Sequence, residues 1–290
     1  MNSIVALRCH DFPEVCADKV AILNCYNPGV RIFGLFGGEE QLAQPMRRAL
    51  GEQIHHWYET GRAPEWNWQN GDLAVRAWYR DYGHKLAFDR LYLVEWDLLL
   101  LDSLESLYCH VPPEAVAVTA RFGLSDVSHD WGWMTDDFSR RQWERLLAGV
   151  REEYGYRGEP FASLGPGTCY SVAFLKKYSD AKVEEITCDE QRVPLYAQCF
   201  GIPVVDTKFR TSWSHATDSL FFNCDRHEVP ISAIREELAK PNGRRAFHPF
   251  TQLLSPRKQG RPDFATASNL EGAMTGGAAM HADDGTEHRG

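Results

Sequence analysis

Leu91-Tyr92-Leu93-Val94-Glu95-Trp96-Asp97 is the stretch on which the reading of the whole chain turns. Its apolar run is bounded by polar residues and reads as a buried strand that carries two carboxylates to its end. Successive strand side chains point to opposite faces, so a persisting strand would project Glu95 and Asp97 to one side and Trp96 to the other. Like charges this close repel, and burial would raise their pKa values unless a cation lay between them. Hard divalent cations such as Mg2+ or Mn2+ take oxygen ligands and leave positions open for substrate phosphates. A strand end with two solvated acids is the plainer alternative.

Upstream, Asp72 and Arg76 lie one helical turn apart on a segment that starts at Gly71 and meets Gly83 after Tyr82, the pattern of a capped helix stopped by glycine. Helix, apolar strand and acid-x-acid in this order resemble the core of metal-dependent GT-A-type glycosyltransferases, where Ser-Asp-x-x-Arg precedes Tyr-Leu-Asp-x-Asp. The matching positions are Gly71, Asp72 and Arg76, then Tyr92, Leu93 and the DxD-like Glu95-Trp96-Asp97. The first motif acid is Glu here, which keeps the charge and lengthens the reach. Outside residues 71–97 the resemblance is one of element order only.

The resemblance implies a single GT-A-like (Rossmann-like) α/β domain, with a mostly parallel central sheet flanked by helices. It implies transfer of a sugar from a nucleotide-diphosphate sugar to an acceptor hydroxyl, with Glu95 and Asp97 holding Mn2+ or Mg2+. A late histidine often completes such a site; His248 fits by position, with His227 and His215 as competitors. The donor side would take Arg8 and His10 from the loop after the first strand, together with Asp72, Arg76 and Trp96. Asp72 and Arg76 would either touch the donor or brace the carboxylate strand. Glu190, with Asp189 in reserve, would be the general base if the enzyme inverts. An acid at a helix N-terminus is equally well explained by the helix dipole.

The rest of the chain fits this frame. Ile4–Leu7 reads as a first strand, Pro13–Leu23 as a helix ended by Asn27-Pro28-Gly29, and Val30–Phe36 as a second strand closed by Gly37-Gly38. Such βαβ punctuation implies parallel strands with a right-handed crossover. Met46, Leu50, Ile54 and Trp57 recur at helical spacing and predict a covering helix over 39–59. His55-His56 on that helix would diverge by ~100° and could not share an ion easily. Residues 121–137 have no clear period and predict a long functional loop, in which His129, Asp130 and Trp131 are assigned to an acceptor. Ser139 and Gln142 form a capping-box pattern before a helix through Trp143, Leu146 and Val150. Leu164-Gly165-Pro166-Gly167-Thr168 reads as a small-residue loop before a helix through Phe174 and Tyr178. Gly165 and Gly167 would there offer free N–H groups to a sugar, or form an ordinary turn. Leu220–Phe222 reads as a strand and Pro230–Lys240 as a helix. From Ser255 large apolar residues nearly vanish, so 255–290 is expected to be a disordered tail after a domain spanning 1–254.

Composition narrows the function classes. The chain has 290 residues, enough for a sizeable core, and its 43% hydrophobic and 24% charged content is that of a globular protein. With net charge −9 and no basic stripe, nucleic-acid binding is not suggested. Eight scattered cysteines lack paired C-x-x-C spacing, which argues against a zinc ribbon or a disulfide scaffold. No membrane-length apolar run and no signal-peptide pattern are seen, so a cytoplasmic enzyme is expected. Two other readings fit the same residues: a sugar-nucleotide or glycan-binding protein without activity, and a metal-dependent phosphohydrolase.

Overall fold

The computed structural model describes residues 2–225 and 227–254; the expected tail from 255 lies outside them. Among the described residues there are nine strands: β1 (Ser3–Cys9), β2 (Arg31–Phe36), β3 (His56–Glu59), β4 (Arg90–Glu95), β5 (Leu99–Leu100), β6 (Val116–Gly123), β7 (Phe161–Ser171), β8 (Val204–Asp206) and β9 (Ala246–Phe247). Seven of them form one sheet in the order β3-β2-β1-β4-β7-β6-β8, and β5 pairs with β9 in a second, small sheet. The β1–β2, β1–β4, β2–β3 and β6–β8 pairs are parallel. Within the seven-stranded sheet β7 runs against its neighbours β4 and β6, and the small sheet is antiparallel. The fold is thus α/β with a mostly parallel sheet, as the sequence leads one to expect.

Both faces of the sheet are covered. On β1, Val5 and Leu7 join one core with Cys16, Val20 and Leu23 of the helix Pro13–Tyr26. Ile4 and Ala6 join another, with Val75 and Trp78 of the helix Gly71–Asp81 and Phe174 and Tyr178 of the helix Val172–Asp180. This double burial explains why β1 and β4 read as continuous apolar runs rather than as alternating ones. A third cluster, with Leu99, Leu101, Phe221, Ile234, Phe247 and Phe250, packs around the small sheet. No helix among the described residues is long and apolar enough to cross a membrane.

Several local expectations are corrected. The helix predicted over 39–59 is Glu40–Leu50, and the chain then turns through Gly51–Gln53 into β3. Ile54 and Trp57 continue the helical spacing by coincidence, and both pack on the same core as Met46 and Leu50. Gly83 does not stop its helix through a left-handed bend; it leaves room for the Trp78 ring, which a Cβ there would meet at 2.6 Å. The helix through Trp143 is Asp137–Tyr154, and its cap is Asp136, whose side chain accepts from the Ser139 amide. Residues 121–137 are not one loop, since β6 runs to Gly123 and the short helices Leu124–Val127 and Gly132–Thr135 follow. Leu220 and Phe221 end the helix Ala216–Phe221, and Phe222 alone makes a strand-like bridge, to His248.

The largest correction concerns Leu164–Thr168, which is not a loop before a helix but the middle of β7. A proline inside a strand removes a ladder donor and is tolerated at bulges. The β6–β7 register shifts here, on either side of Thr119, and the Thr119 hydroxyl donates to the Pro166 carbonyl at 2.8 Å. Gly167 takes φ 84°, and a Cβ there would meet the Phe209 ring at 2.9 Å. Position 167 therefore needs glycine both for its backbone and for its neighbour.

Candidate active site

The C-terminal ends of β1 and β4 and the first half of antiparallel β7 meet at one edge of the sheet. Arg8 and Glu95 are register partners across β1 and β4. Arg8 Nη2 lies 3.4 Å from Glu95 Oε1, and its Nη1 lies 3.2 Å from Asp189 Oδ2. The Asn67 and Trp68 carbonyls accept from Nη1 at 3.3 and 3.4 Å. One guanidinium thus joins two carboxylates that are 94 residues apart in sequence. Gly71 makes room for it: its N–H donates to Asp189 Oδ2 at 3.2 Å, and a Cβ there would lie 2.3 Å from Arg8 Nη1.

Glu95 is 2% exposed. Burial pushes its pKa up to about 7, with Arg8 and His248 opposing and Asp97 and Asp189 adding to the rise. Its Oε2 accepts from the Gly167 amide at 3.3 Å, and Oε1 has no hydrogen-bond donor. The glycine amide expected to face a sugar is thus spent on Glu95.

Strand geometry stops at Glu95, and Trp96 and Asp97 form a turn. The turn still brings Asp97 into the cluster. His248 Nε2 lies 3.5 Å from Asp97 Oδ2, while Nδ1 is 2.6 Å from the Asn223 carbonyl. Burial works against the His248 imidazolium, but Asp97 and Glu95 outweigh it and raise its pKa. Burial would also raise Asp97, yet His248 and then Arg8 hold it below the ordinary carboxylate range. His248, rather than His215 or His227, is the histidine that meets the acid pair.

Among the described residues no three His, Cys, Asp or Glu side chains stand in an arrangement that could hold a metal ion. The donor set beside Arg8 is nevertheless of the right kind: Glu95 Oε1, which pairs with Arg8 but accepts no hydrogen bond, a carboxylate from Asp97 and an imidazole nitrogen from His248. Hard oxygens with one imidazole suit Mn2+ or Mg2+. A cation there would replace contacts that Arg8 and His248 make now.

On one flank of the cluster, Trp96 packs edge-on against His10, with centroids 5.3 Å apart, and stacks on the exposed Phe12 at 5.1 Å and 20°. The structure thus brings together His10 and Trp96, both expected on the donor side. On the other flank, Glu190 sits at the first turn of the helix Asp189–Cys199. The Gly165 amide donates to its Oε1 at 3.0 Å and the Trp133 indole N–H to its Oε2 at 2.8 Å. Burial pushes its pKa up to about 7, Asp189 adds to this, and bonds from Gly165, Trp133 and Trp131 pull it back. Asp189 is likewise raised by burial, against the pull of Arg8. Trp133 lies 5.9 Å from Trp68, which is 56% exposed.

Of the two roles expected of Asp72 and Arg76, touching the donor or bracing, the contacts they make here are bracing ones. Asp72 is 1% exposed and forms a two-pronged pair with the wholly buried Arg192, Nη2 to Oδ1 at 2.6 Å and Nε to Oδ2 at 2.9 Å, with the Tyr178 hydroxyl also donating to Oδ2. Arg76 donates to the Tyr178 and Ala181 carbonyls at 2.8 and 2.7 Å. Arg192 follows Asp189-Glu190 by one turn, so the Asp72 pair fixes the helix that presents them. His129 and Asp130 are exposed and face each other at 3.4 Å. Trp131 is buried against Trp213, centroids 5.7 Å apart. Within that segment Trp133, an aromatic of the kind sugar-binding surfaces offer but not one of the residues assigned to the acceptor, donates its indole N–H to Glu190.

No protein-family model matches the chain, and no curated protein matches it. Among solved structures it is similar to an active-site mutant of LgtC (13% identity, TM-score 0.43, covering 93% of this chain and 96% of that one). It is also similar to the galactosyltransferase LgtC in complex with donor and acceptor sugar analogs (17% identity, TM-score 0.39, with the same coverage). A third likeness is to a cytidylyltransferase from Leptospira borgpetersenii serovar Hardjo-bovis (8% identity, TM-score 0.39, covering 71% of this chain and 75% of that one).

Proposed function

We propose that the chain is a glycosyltransferase that moves a sugar from a nucleotide-diphosphate donor to an acceptor hydroxyl. The observation that carries this reading is the division of the strand-end cluster into two parts. One part, Arg8, Glu95, Asp97 and His248, mixes fixed cations with carboxylates, as a diphosphate site requires. The other is a separate carboxylate, Glu190, with a pKa near 7 and fixed by Gly165 and Trp133. A group poised near neutral pH is suited to taking a proton.

In this reading His10 and Trp96 receive the nucleoside end of the donor. Glu95, Asp97 and His248 are the residues that would hold Mn2+ or Mg2+, which when bound would neutralise charge on the leaving diphosphate. The acceptor oxygen bonds to the anomeric carbon as the bond from that carbon to the diphosphate oxygen breaks. The nucleoside diphosphate leaves with the electron pair of that bond, and the hydroxyl proton passes to Glu190. Trp133 and Gly165 keep that carboxylate aimed, and the exposed Trp68 offers an aromatic face to the C–H side of an acceptor sugar.

Asp97→Asn tests the reading. It keeps the size of the side chain and removes its charge, so donor binding that depends on Mn2+ should be lost while the circular dichroism spectrum is retained. Wild-type donor binding in calorimetry would count against it. Donor binding without transfer or donor hydrolysis would instead favour a binding protein, and phosphate release from simple phosphomonoesters would favour a phosphohydrolase.

A further inference from the structure

Glu95 Oε1 faces a cation that does not hydrogen-bond to it. It lies 3.4 Å from Arg8 Nη2, yet among the described residues no donor meets it in hydrogen-bond geometry. A buried carboxylate oxygen left in that state is uncommon in folded proteins and marks a place that a different partner fits better. The other end of the guanidinium is held differently. Arg8 Nη1 donates to Asp189 Oδ2 at 3.2 Å and to the Asn67 and Trp68 carbonyls at 3.3 and 3.4 Å. One nitrogen of Arg8 is anchored, and the other rests against Glu95 without a bond.

Arg8 and His248 both lie against the acid pair, but they differ in what they can do for a metal ion. His248 Nε2, 3.5 Å from Asp97 Oδ2, offers a lone pair in the neutral imidazole and can serve as a ligand. A guanidinium is all donor, has no lone pair to give and keeps its charge at any working pH. Arg8 Nη2 and a divalent cation therefore exclude each other at Glu95 Oε1. With Arg8 in place, the acids are not set out as a metal site, in keeping with the lack of a metal-holding group of side chains among the described residues. Arg8 can give up Glu95 without being stranded, because its bond to Asp189 uses the other nitrogen. Its side chain is 14% exposed against 3% for that of Glu95, so it is the more open of the two to an incoming anion. Guanidinium groups bind phosphate oxygens in pairs, which makes a diphosphate the anion best able to draw it away.

We propose that Arg8 keeps metal ions off Glu95 in the free chain and yields that carboxylate when a diphosphate arrives, so that metal and donor enter the site together. The second half rests on the reading of the cluster as a diphosphate site; the first half does not. The free chain is then a poor metal binder although its acids are of the right kind. Donor and metal strengthen each other's binding by the same factor, as linkage requires.

Mn2+ titrated into the full chain without donor, with free Mn2+ read by electron paramagnetic resonance, tests it. Removing Arg8 alone would alter the local charge, so the deciding variant is Arg8→Gln combined with Asp189→Asn, which takes away one positive and one negative charge. This double variant should bind Mn2+ at least about tenfold more tightly than the wild type, the scale of one like charge removed from close range in a partly buried site. Adding Glu95→Gln should cancel the gain. Mn2+ should also raise the melting temperature of the double variant and leave that of the wild type unchanged, a readout that survives a loss of stability. Equal Mn2+ binding by the double variant and the wild type overturns the proposal; Mn2+-dependent donor binding by the wild type would then leave the transfer reading standing without it. A gain that persists with Glu95→Gln also overturns it, since the ion is then held elsewhere. A gain that Glu95→Gln cancels, in a chain that binds no nucleotide sugar, upholds the exclusion of metal by Arg8 and removes the transfer reading instead.

Discussion

Arg8 and Glu95 stand opposite each other at the last rungs of β1 and β4, and the same Arg8 guanidinium reaches Asp189 on the far helix. That single cation holds together the two halves of the site. Its contacts are long, from 3.2 to 3.4 Å, and they do not fully offset the cost of burying Glu95, whose pKa remains near 7. Arg8→Met should leave two buried carboxylates without their partner and cost about 2 kcal/mol. Urea unfolding at pH 7 measures this, and adding Glu95→Gln should recover part of the loss because the two effects are coupled. Strictly additive losses would show that the pair is not coupled.

The Asp72–Arg192 pair is the brace of the site, and both side chains are wholly buried. Asp72→Asn should destabilise the protein by about 3 kcal/mol, the usual scale for stranding one member of a buried pair. Whatever fraction stays folded should bind donor with wild-type affinity. A selective loss of donor affinity with unchanged stability would return Asp72 to the ligand.

Much of this arrangement could be read in the sequence, and what could not has a physical reason. The apolar run before Glu95 and the Asn27-Pro28-Gly29 stop gave β4 and the first crossover, because a doubly buried strand has few ways to be written. The placing of Glu190 at a helix start was legible from its position before an apolar segment. Gly165-Pro166-Gly167 was not, because glycine and proline in a strand are tolerated only where a bulge frees them from the ladder, and that depends on β6. Arg192 was missed because its partner is 120 residues away. The placing of His10 and Trp96 on one side of the site was implied by the resemblance to GT-A-type enzymes. Their contact with Phe12 was not.

Glu190 gives the transfer reaction its pH dependence. As a base it works deprotonated, so the rate should rise as pH increases through about 7, the pKa to which burial lifts it. Glu190→Gln should lower kcat by roughly 10²–10⁴ and remove that inflection from the pH profile. An inflection unchanged in the variant would assign it to another group.

Lys19 provides a pH test of stability away from the site. Its side chain is buried between the Gln252 carbonyl, which accepts at 2.9 Å, and the Phe250 ring, and burial lowers its pKa from 10.5 to about 8. Below pH 8 the group is charged in both folded and unfolded chains. Between pH 8 and 10.5 the folded chain releases the proton while the unfolded chain keeps it, so stability must rise across that window. The full shift corresponds to about 3 kcal/mol. Subtracting the urea-unfolding profile of Lys19→Met from that of the wild type isolates this rise; a flat difference would show that Lys19 titrates normally.

The central claim is that Glu95, Asp97 and His248 act together on the diphosphate of a sugar nucleotide. Calorimetric titration of a panel of nucleotide sugars, with Mn2+ and with chelator, into wild type and Asp97→Asn tests it most directly. The account predicts that at least one donor binds the wild type, that Mn2+ strengthens this binding, and that the strengthening disappears in folded Asp97→Asn. Equal Mn2+ enhancement in both proteins, or no donor bound by the wild type under either condition, would contradict it.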